Sequence, residues 1–251
     1  MRAKHSLFYC LCILLFFSCS KKPTINLVTS PQEAFSQALD LYNAKKYNKA
    51  IEEFQNIIFN YPGTTYGADA QFYLADAYFQ KKDYQSAIPE FEFFINSFVG
   101  NQFLEDAYYK LSISYFYLAP QVGKDQIILG KTIEILDNLQ EKFPETKYSN
   151  DIIELRKKIA ERWAEKNYVI GQLYFKGGEY SSARIYFYNV ITDYPETIWA
   201  NWSRYLMGQI YEKSDSLSQA INMYQSLISD SIESDVKKLA QKRLEVLENK
   251  K

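Results

Sequence analysis

An alanine recurs in this chain in near-identical company. It stands at Ala50, Ala87, Ala183 and Ala220, and the steps from 50 to 87 and from 183 to 220 are both 37 residues. After each comes a bulky run: Ile51 and Phe54, Ile88 and Phe91, Ile185 and Phe187, Ile221 and Tyr224. Each run has the period of an amphipathic helix. A period between 20 and 50 residues marks an array of small units, each unable to bury its apolar face alone. With 9 Gly and 7 Pro in 251 residues, the composition disfavours a turn-dense β fold, and 47% hydrophobic residues are enough for an extended core.

Five units can be aligned. The second shows Leu74, Ala75, Tyr78, Ala87 and Phe91; the fourth Ile170, Gly171, Tyr174, Ala183, Phe187 and Pro195; the fifth Met207, Gly208, Tyr211, Ala220 and Tyr224. The first is weaker on its first helix (Gln37, Ala38, Leu41) but keeps Ala50, Phe54 and Pro62. The third has Leu111, Ser112, Tyr115, Thr132, Leu136 and Pro144. This resembles the tetratricopeptide pattern, in which small residues let paired helices approach and aromatics fill the space between them. The expected fold is all-α: a right-handed solenoid of about five tetratricopeptide-type helix pairs with a C-terminal capping helix at 234–247. Ser30-Pro31-Gln32-Glu33 carries a helix start.

Two departures from the period are informative. The third unit is longer by eight residues, and the extra sequence near 119–130, with Pro120, Gly123 and Gly130, predicts an exposed loop. The step into the fourth unit is 51 rather than 37, and no helix breaker falls in the additional stretch. One long helix from about 150 to 175 is predicted, linking N-terminal repeats (30–148, three helix pairs) to C-terminal repeats and cap (149–251, two helix pairs).

The N-terminus reads as an address. Arg2 and Lys4 precede an apolar run of 11 residues, Leu7 to Phe17, then Ser18 and Cys19. A membrane-spanning helix needs about 20 residues, so the run suits a secretory signal. Phe16-Phe17-Ser18-Cys19 resembles a bacterial lipoprotein signal, which implies removal of residues 1–18, lipidation of Cys19 and a tether over 19–29. The alternatives are an uncleaved anchor or a secreted chain with an incidental Cys. No Asp follows Cys19 to signal inner-membrane retention, so the expected location is the outer membrane, lipid-anchored and facing the periplasm.

Catalysis has little to work with. The only His is His5, and the only Cys are Cys10, Cys12 and Cys19. A zinc site of His and Cys, a Cys nucleophile and a Ser-His-Asp triad are therefore excluded from the body of the chain. No phosphate-binding Gly motif occurs. Neither catalytic nor metal residues are expected, nor a cofactor. The net charge of −1 gives no reason to expect nucleic acid as a partner.

The signal, the five repeats and the long first helix of the fourth unit together resemble the BamD family of outer-membrane protein assembly lipoproteins. The stretches EKNYVIGQLYFKGGEYSSARIYFYNVITDYPET and YPGTTYGADAQFYLADAYFQKKDYQSAI carry most of the resemblance. It implies a non-enzymatic scaffold in the machine that inserts β-barrels. Its C-terminal repeats would bind the periplasmic domains of a BamA-like barrel protein, with Tyr168, Phe175, Arg184 and Tyr186 as the candidate contacts. Its N-terminal repeats would receive unfolded outer-membrane proteins. Two other readings are a repeat adaptor of a different envelope complex and a glycan-binding lipoprotein.

One pattern exceeds the packing signature. Phe35, Phe72, Tyr109, Tyr168 and Tyr205 occupy one position of every first helix, and Tyr42, Phe79, Phe116 and Phe175 follow seven residues later. Each pair shares a helix face. The rings either line a groove for extended apolar peptides, with Phe35, Tyr42, Phe72, Phe79, Tyr109 and Phe116 as its residues, or pack between adjacent repeats. Trp163, Trp199 and Trp202 are interface anchors or gap fillers, and Arg156-Lys157-Lys158 reads as a solvated face.

Overall fold

A computed structural model describes residues 30–120, 127–230 and 234–249. The signal, Cys19 and the tether lie outside the described residues, as does the loop core at 121–126. Eleven helices follow one another: α1 (Pro31–Asn43), α2 (Tyr47–Asn60), α3 (Thr65–Gln80), α4 (Tyr84–Ser97), α5 (Leu104–Leu118), α6 (Ile127–Lys142), α7 (Ser149–Lys176), α8 (Tyr180–Asp193), α9 (Ile198–Lys213), α10 (Leu217–Asp230) and α11 (Asp235–Glu248). No strand occurs among the described residues. The protein is an all-α tetratricopeptide solenoid of five helix pairs closed by α11.

Local chemistry sets the helix ends. The Ser30 hydroxyl accepts from Glu33 N at 3.2 Å while Ser30 N donates to the Glu33 carboxylate at 3.1 Å, with Pro31 as the first helical residue. Thr64, Asp83 and Thr197 cap α3, α4 and α9 in the same sense. The turn inside four of the pairs needs one left-handed residue: Lys45 (φ 58°), Lys82 (φ 60°), Gly178 (φ 81°) and Asp215 (φ 52°). These positions are equivalent, 37 residues apart within each half. A side chain there costs roughly 1–2 kcal/mol relative to glycine.

Within each pair a small residue meets a large one. Ala38 and Phe54, Ala75 and Phe91, and Ser112 and Leu136 are all sealed from solvent. In the last two repeats even alanine is too large. A Cβ on Gly171 would lie 2.8 Å from the Phe187 ring, and one on Gly208 would lie 2.5 Å from the Tyr224 ring. The ring fills the volume the side chain vacates, which is the close approach that the sequence pattern predicts.

First helices also pack on one another, α1 on α3, α3 on α5, α7 on α9 and α9 on α11, whereas second helices pack mainly on first helices. Closer spacing of the first-helix row places it on the inside of the curve. The row is interrupted between α5 and α7. There α7, at 28 residues about 42 Å long, replaces the regular step. Its first half completes the core of the third repeat through Ile152, Leu155 and Ile159, and its second half starts a new core at Ala164 and Tyr168. The predicted long helix is therefore one residue longer at each end. The loop is shorter than the predicted 119–130 span, because Gly130 sits in the first turn of α6, which the buried Leu129 beside it anchors.

Candidate functional site

The upper row of first-helix aromatics forms a ladder between repeats. Phe35 meets Tyr66 (5.8 Å between ring centroids), Phe72 stacks on Phe103 (4.5 Å, 9° between planes), Tyr109 stacks on Tyr148 (3.9 Å, 10°) and Tyr168 meets Trp199 (5.1 Å). The second ring follows the first by 31 residues in three repeats and by 39 in the third, which carries the eight-residue insertion. Each rung thus joins one first helix to the start of the next. Phe72 and Tyr168 are 3% and 6% exposed, so little of either ring can meet a ligand. Phe35 and Tyr109 are half-buried. The constant offset was readable in the sequence. Its signal lay in Tyr66, Phe103, Tyr148 and Trp199, which fall at the ends of units and outside the repeat signature.

The lower row divides further. The Tyr42 hydroxyl donates to Asp76 Oδ2 at 2.8 Å, and Lys110 Nζ donates to the same oxygen at 2.6 Å. Gln80 donates to the other oxygen at 3.3 Å. Asp76 is buried, so this carboxylate ties α1, α3 and α5 together from inside. The Lys110 ammonium also sits 5.2 Å from the Phe72 ring and 5.9 Å from Phe79. Burial, and then the Asp76 charge, push the Tyr42 hydroxyl far above its ordinary pKa, which keeps it a donor. Phe79 meets Tyr84 edge-on. Phe116 is 6% exposed beneath the Arg162 guanidinium, 4.2 Å away, and its carbonyl accepts from Arg162 Nη1 at 3.2 Å. Phe35, Tyr42, Phe79 and Tyr109 are the members of the N-terminal row that keep part of their surface exposed.

The four C-terminal candidates are not brought together. Tyr168 lies in the ladder, and Phe175 packs on Tyr180 at the α7–α8 turn (5.7 Å). Tyr186 stacks on Tyr174 of α7 (5.5 Å, 15°). Arg184 alone lines a surface groove of about 400 Å³ between α8 and α9, with Ser181, Ile185, Tyr188, Met207 and Tyr211. Its guanidinium carbon is 5.3 Å from the Tyr211 ring centroid. Ile185 and Tyr188 are 62% and 61% exposed. A signal for these two was present in the sequence: on a helix that buries Ala183 and Phe187, period places Ile185 and Tyr188 on the opposite face, where an apolar residue stands out.

Trp163, Trp199 and Trp202 are half-buried and pack against the cores as fillers. Arg156 donates to Asp137 (2.5 Å) and Gln140 (2.9 Å) on α6, while Lys157 and Lys158 are exposed. At the α5–α7 junction, Lys147 and the Tyr148 hydroxyl both contact Asp106. Burial opposes the Asp106 charge, but these hydrogen bonds outweigh it and hold the carboxyl below its ordinary pKa. Among the described residues no cluster of His, Cys, Asp and Glu is placed to hold a metal ion, and no helix is long and apolar enough to cross a membrane.

No curated protein is significantly similar to the chain. Similar solved structures include a thermophilic tetratricopeptide-repeat protein of Thermus thermophilus (14% identity, 88% of this chain and 100% of that one, TM-score 0.39). Others are a tetratricopeptide-repeat protein of Parabacteroides merdae (13%, 88% and 74%, 0.39) and the TPR2AB domain of yeast Sti1 in its pHSP90 complex (16%, 86% and 84%, 0.47). The family described as YfiO, outer membrane lipoprotein, matches residues 28–227. With four-fifths of its length so matched, the chain belongs to the YfiO family of outer membrane lipoproteins.

Proposed function

We propose that the protein is the BamD-type subunit of an outer-membrane β-barrel assembly machine, a non-catalytic scaffold held at the membrane by lipid on Cys19 and facing the periplasm. The α8–α9 groove carries the reading. It is an open groove of about 400 Å³ in the C-terminal repeats, with a cationic group over an aromatic face and two large apolar side chains beside it. Exposed aromatic, aliphatic and Arg side chains around a shallow groove are the composition of a protein interface hot spot. A BamA-like periplasmic domain is the partner assigned to it. The half-buried rings Phe35, Tyr42, Phe79 and Tyr109 form the surface assigned to unfolded barrel proteins, whose strands alternate apolar residues.

The test is purification of the tagged protein from membranes in mild detergent. A large barrel protein with periplasmic domains is expected to come with it, and to be lost from Ile185→Asp/Tyr188→Asp. Phe59→Asp, a change to an exposed ring on α2, is expected to leave it bound. Recovery of cell-wall enzymes or a sugar transporter instead would sink the proposal.

A further inference from the structure

Two turns of the N-terminal repeats build a basic edge. Lys45 and Lys46 come from the α1–α2 turn, Lys49 from the first turn of α2, and Lys81 and Lys82 from the α3–α4 turn, and all five are exposed. Lys45, Lys46, Lys49 and Lys81 line one open groove of about 270 Å³ with Tyr47 and Asn48. Unlike Lys110, Lys131 and Lys147, none of the five is ion-paired among the described residues. Asp83, the acid next to Lys82, directs its carboxylate to Ser86 N as a helix cap.

The backbone supplies a second, independent observation. Lys45 and Lys82 occupy the left-handed position of their turns, where the fourth repeat has Gly178. Lysine is a poor choice there on conformational grounds. Asp215 holds the equivalent position of the fifth repeat, so the position accepts a side chain of either sign, and the first two turns are the ones that fill it with lysine. The opposite edge differs in kind. There carboxylates are engaged within the fold: Asp69 accepts from Asn101, Glu105 from Thr146, and Asp106 contacts Lys147.

We infer that this basic edge docks on an anionic membrane surface, orienting the N-terminal repeats against the bilayer in which the family resides. Several flexible ammonium groups spread over two turns, without a shaped cavity, fit a field of lipid phosphates. Reach is sufficient. The ten residues 20–29 span at most about 36 Å, and α1, whose far end bears Lys45, is about 20 Å long. A chain anchored at Cys19 can therefore lay this edge on the same surface. The inference rests on the anchored reading for its cellular meaning, but its test uses no acyl chain, so the two fail separately.

The four core clusters of the described residues lie between Ala34 and Leu247, so the chain from residue 19 with Cys19→Ser retains them and is the protein to use. Sedimentation with vesicles of phosphatidylcholine alone and with 30 mol% phosphatidylglycerol reads the binding. Binding to the anionic vesicles only is expected, weakened at high salt. Each lysine at the surface is worth up to about 5-fold in affinity. The variant Lys45→Gln/Lys46→Gln/Lys49→Gln/Lys81→Gln/Lys82→Gln is expected to bind at least ~10-fold more weakly. A charge-matched control, Lys142→Gln/Lys157→Gln/Lys158→Gln/Lys166→Gln/Lys176→Gln, is expected to change binding less than ~2-fold. Failure to bind anionic vesicles, or equal loss in both variants, overturns the proposal. Labelling with a radioactive fatty acid, lost in Cys19→Ser, tests the anchor on its own.

Discussion

The two halves of the solenoid use one first-helix position differently. In α3 it is Asp76, which reaches across to Tyr42 of α1 and Lys110 of α5. In α7 and α9 it is Gln172 and Gln209, and each donates to the tyrosine one turn back in its own helix, Tyr168 and Tyr205, at 3.1 Å. At this position a carboxylate ties three repeats together in the N-terminal half, while in the C-terminal half a glutamine bonds within its own helix and the inter-helix carboxylate is instead Glu212, three residues on from Gln209, which accepts from Tyr224 of α10 and Arg243 of α11. A second position separates the halves again. Ala77, Ser114 and Ile210 are buried where one repeat meets the repeat before it, yet Leu173 at the same place on α7 is 71% exposed. The extension of α7 has carried the fourth repeat beyond the reach of the third. The protein is two stacks on one shared helix.

The largest expected effect is at the tie. Asp76→Ala leaves the Lys110 ammonium and the Tyr42 hydroxyl unpaired, and should cost about 3–5 kcal/mol in chemical denaturation. Loss confined to amides of α1, α3 and α5 in hydrogen exchange would sharpen the comparison, and uniform loss over all eleven helices would break it. Next is the matched pair Ile210→Ala and Leu173→Ala. The first should cost about 2–5 kcal/mol and the second less than about 0.5 kcal/mol, so equal costs would show that α7 is covered after all. The smallest is at the junction. Asp106 has a depressed folded pKa, so its contribution is present above the ordinary carboxylate pKa and is lost as pH falls through the folded value. Asp106→Asn should destabilise by about 1 kcal/mol at pH 7 and flatten the fall in melting temperature below about pH 4.

Much of this molecule was legible from residue spacing. The Ala and Gly positions, their ring partners and the unbroken run that becomes α7 follow from helical period alone, since helix pairs close in sequence have few other ways to bury one stripe each. The candidate site was less legible. Phe72, Phe116 and Tyr168 share a period with Phe35, Tyr42 and Phe79, but period reports the face of a helix and not what lies opposite it. Ile185 and Tyr188 were legible as outer-face residues from the period of Ala183 and Phe187, but not as members of a groove, which needs Met207 and Tyr211 of the next helix.

The residues by themselves determined the repeat unit, its number and the break between the third and fourth units, because these depend on contacts within one turn or one helix pair. Only the tertiary structure decided which aromatics are rungs between repeats, that Asp76 joins three helices, and that Lys45, Lys46, Lys49, Lys81 and Lys82 form one basic edge. None of those lysines lies in a long basic run. The repeat period places Lys45 and Lys82 at equivalent positions, but only the stacking of successive repeats brings the two turns side by side so that Lys45, Lys46, Lys49 and Lys81 line one groove.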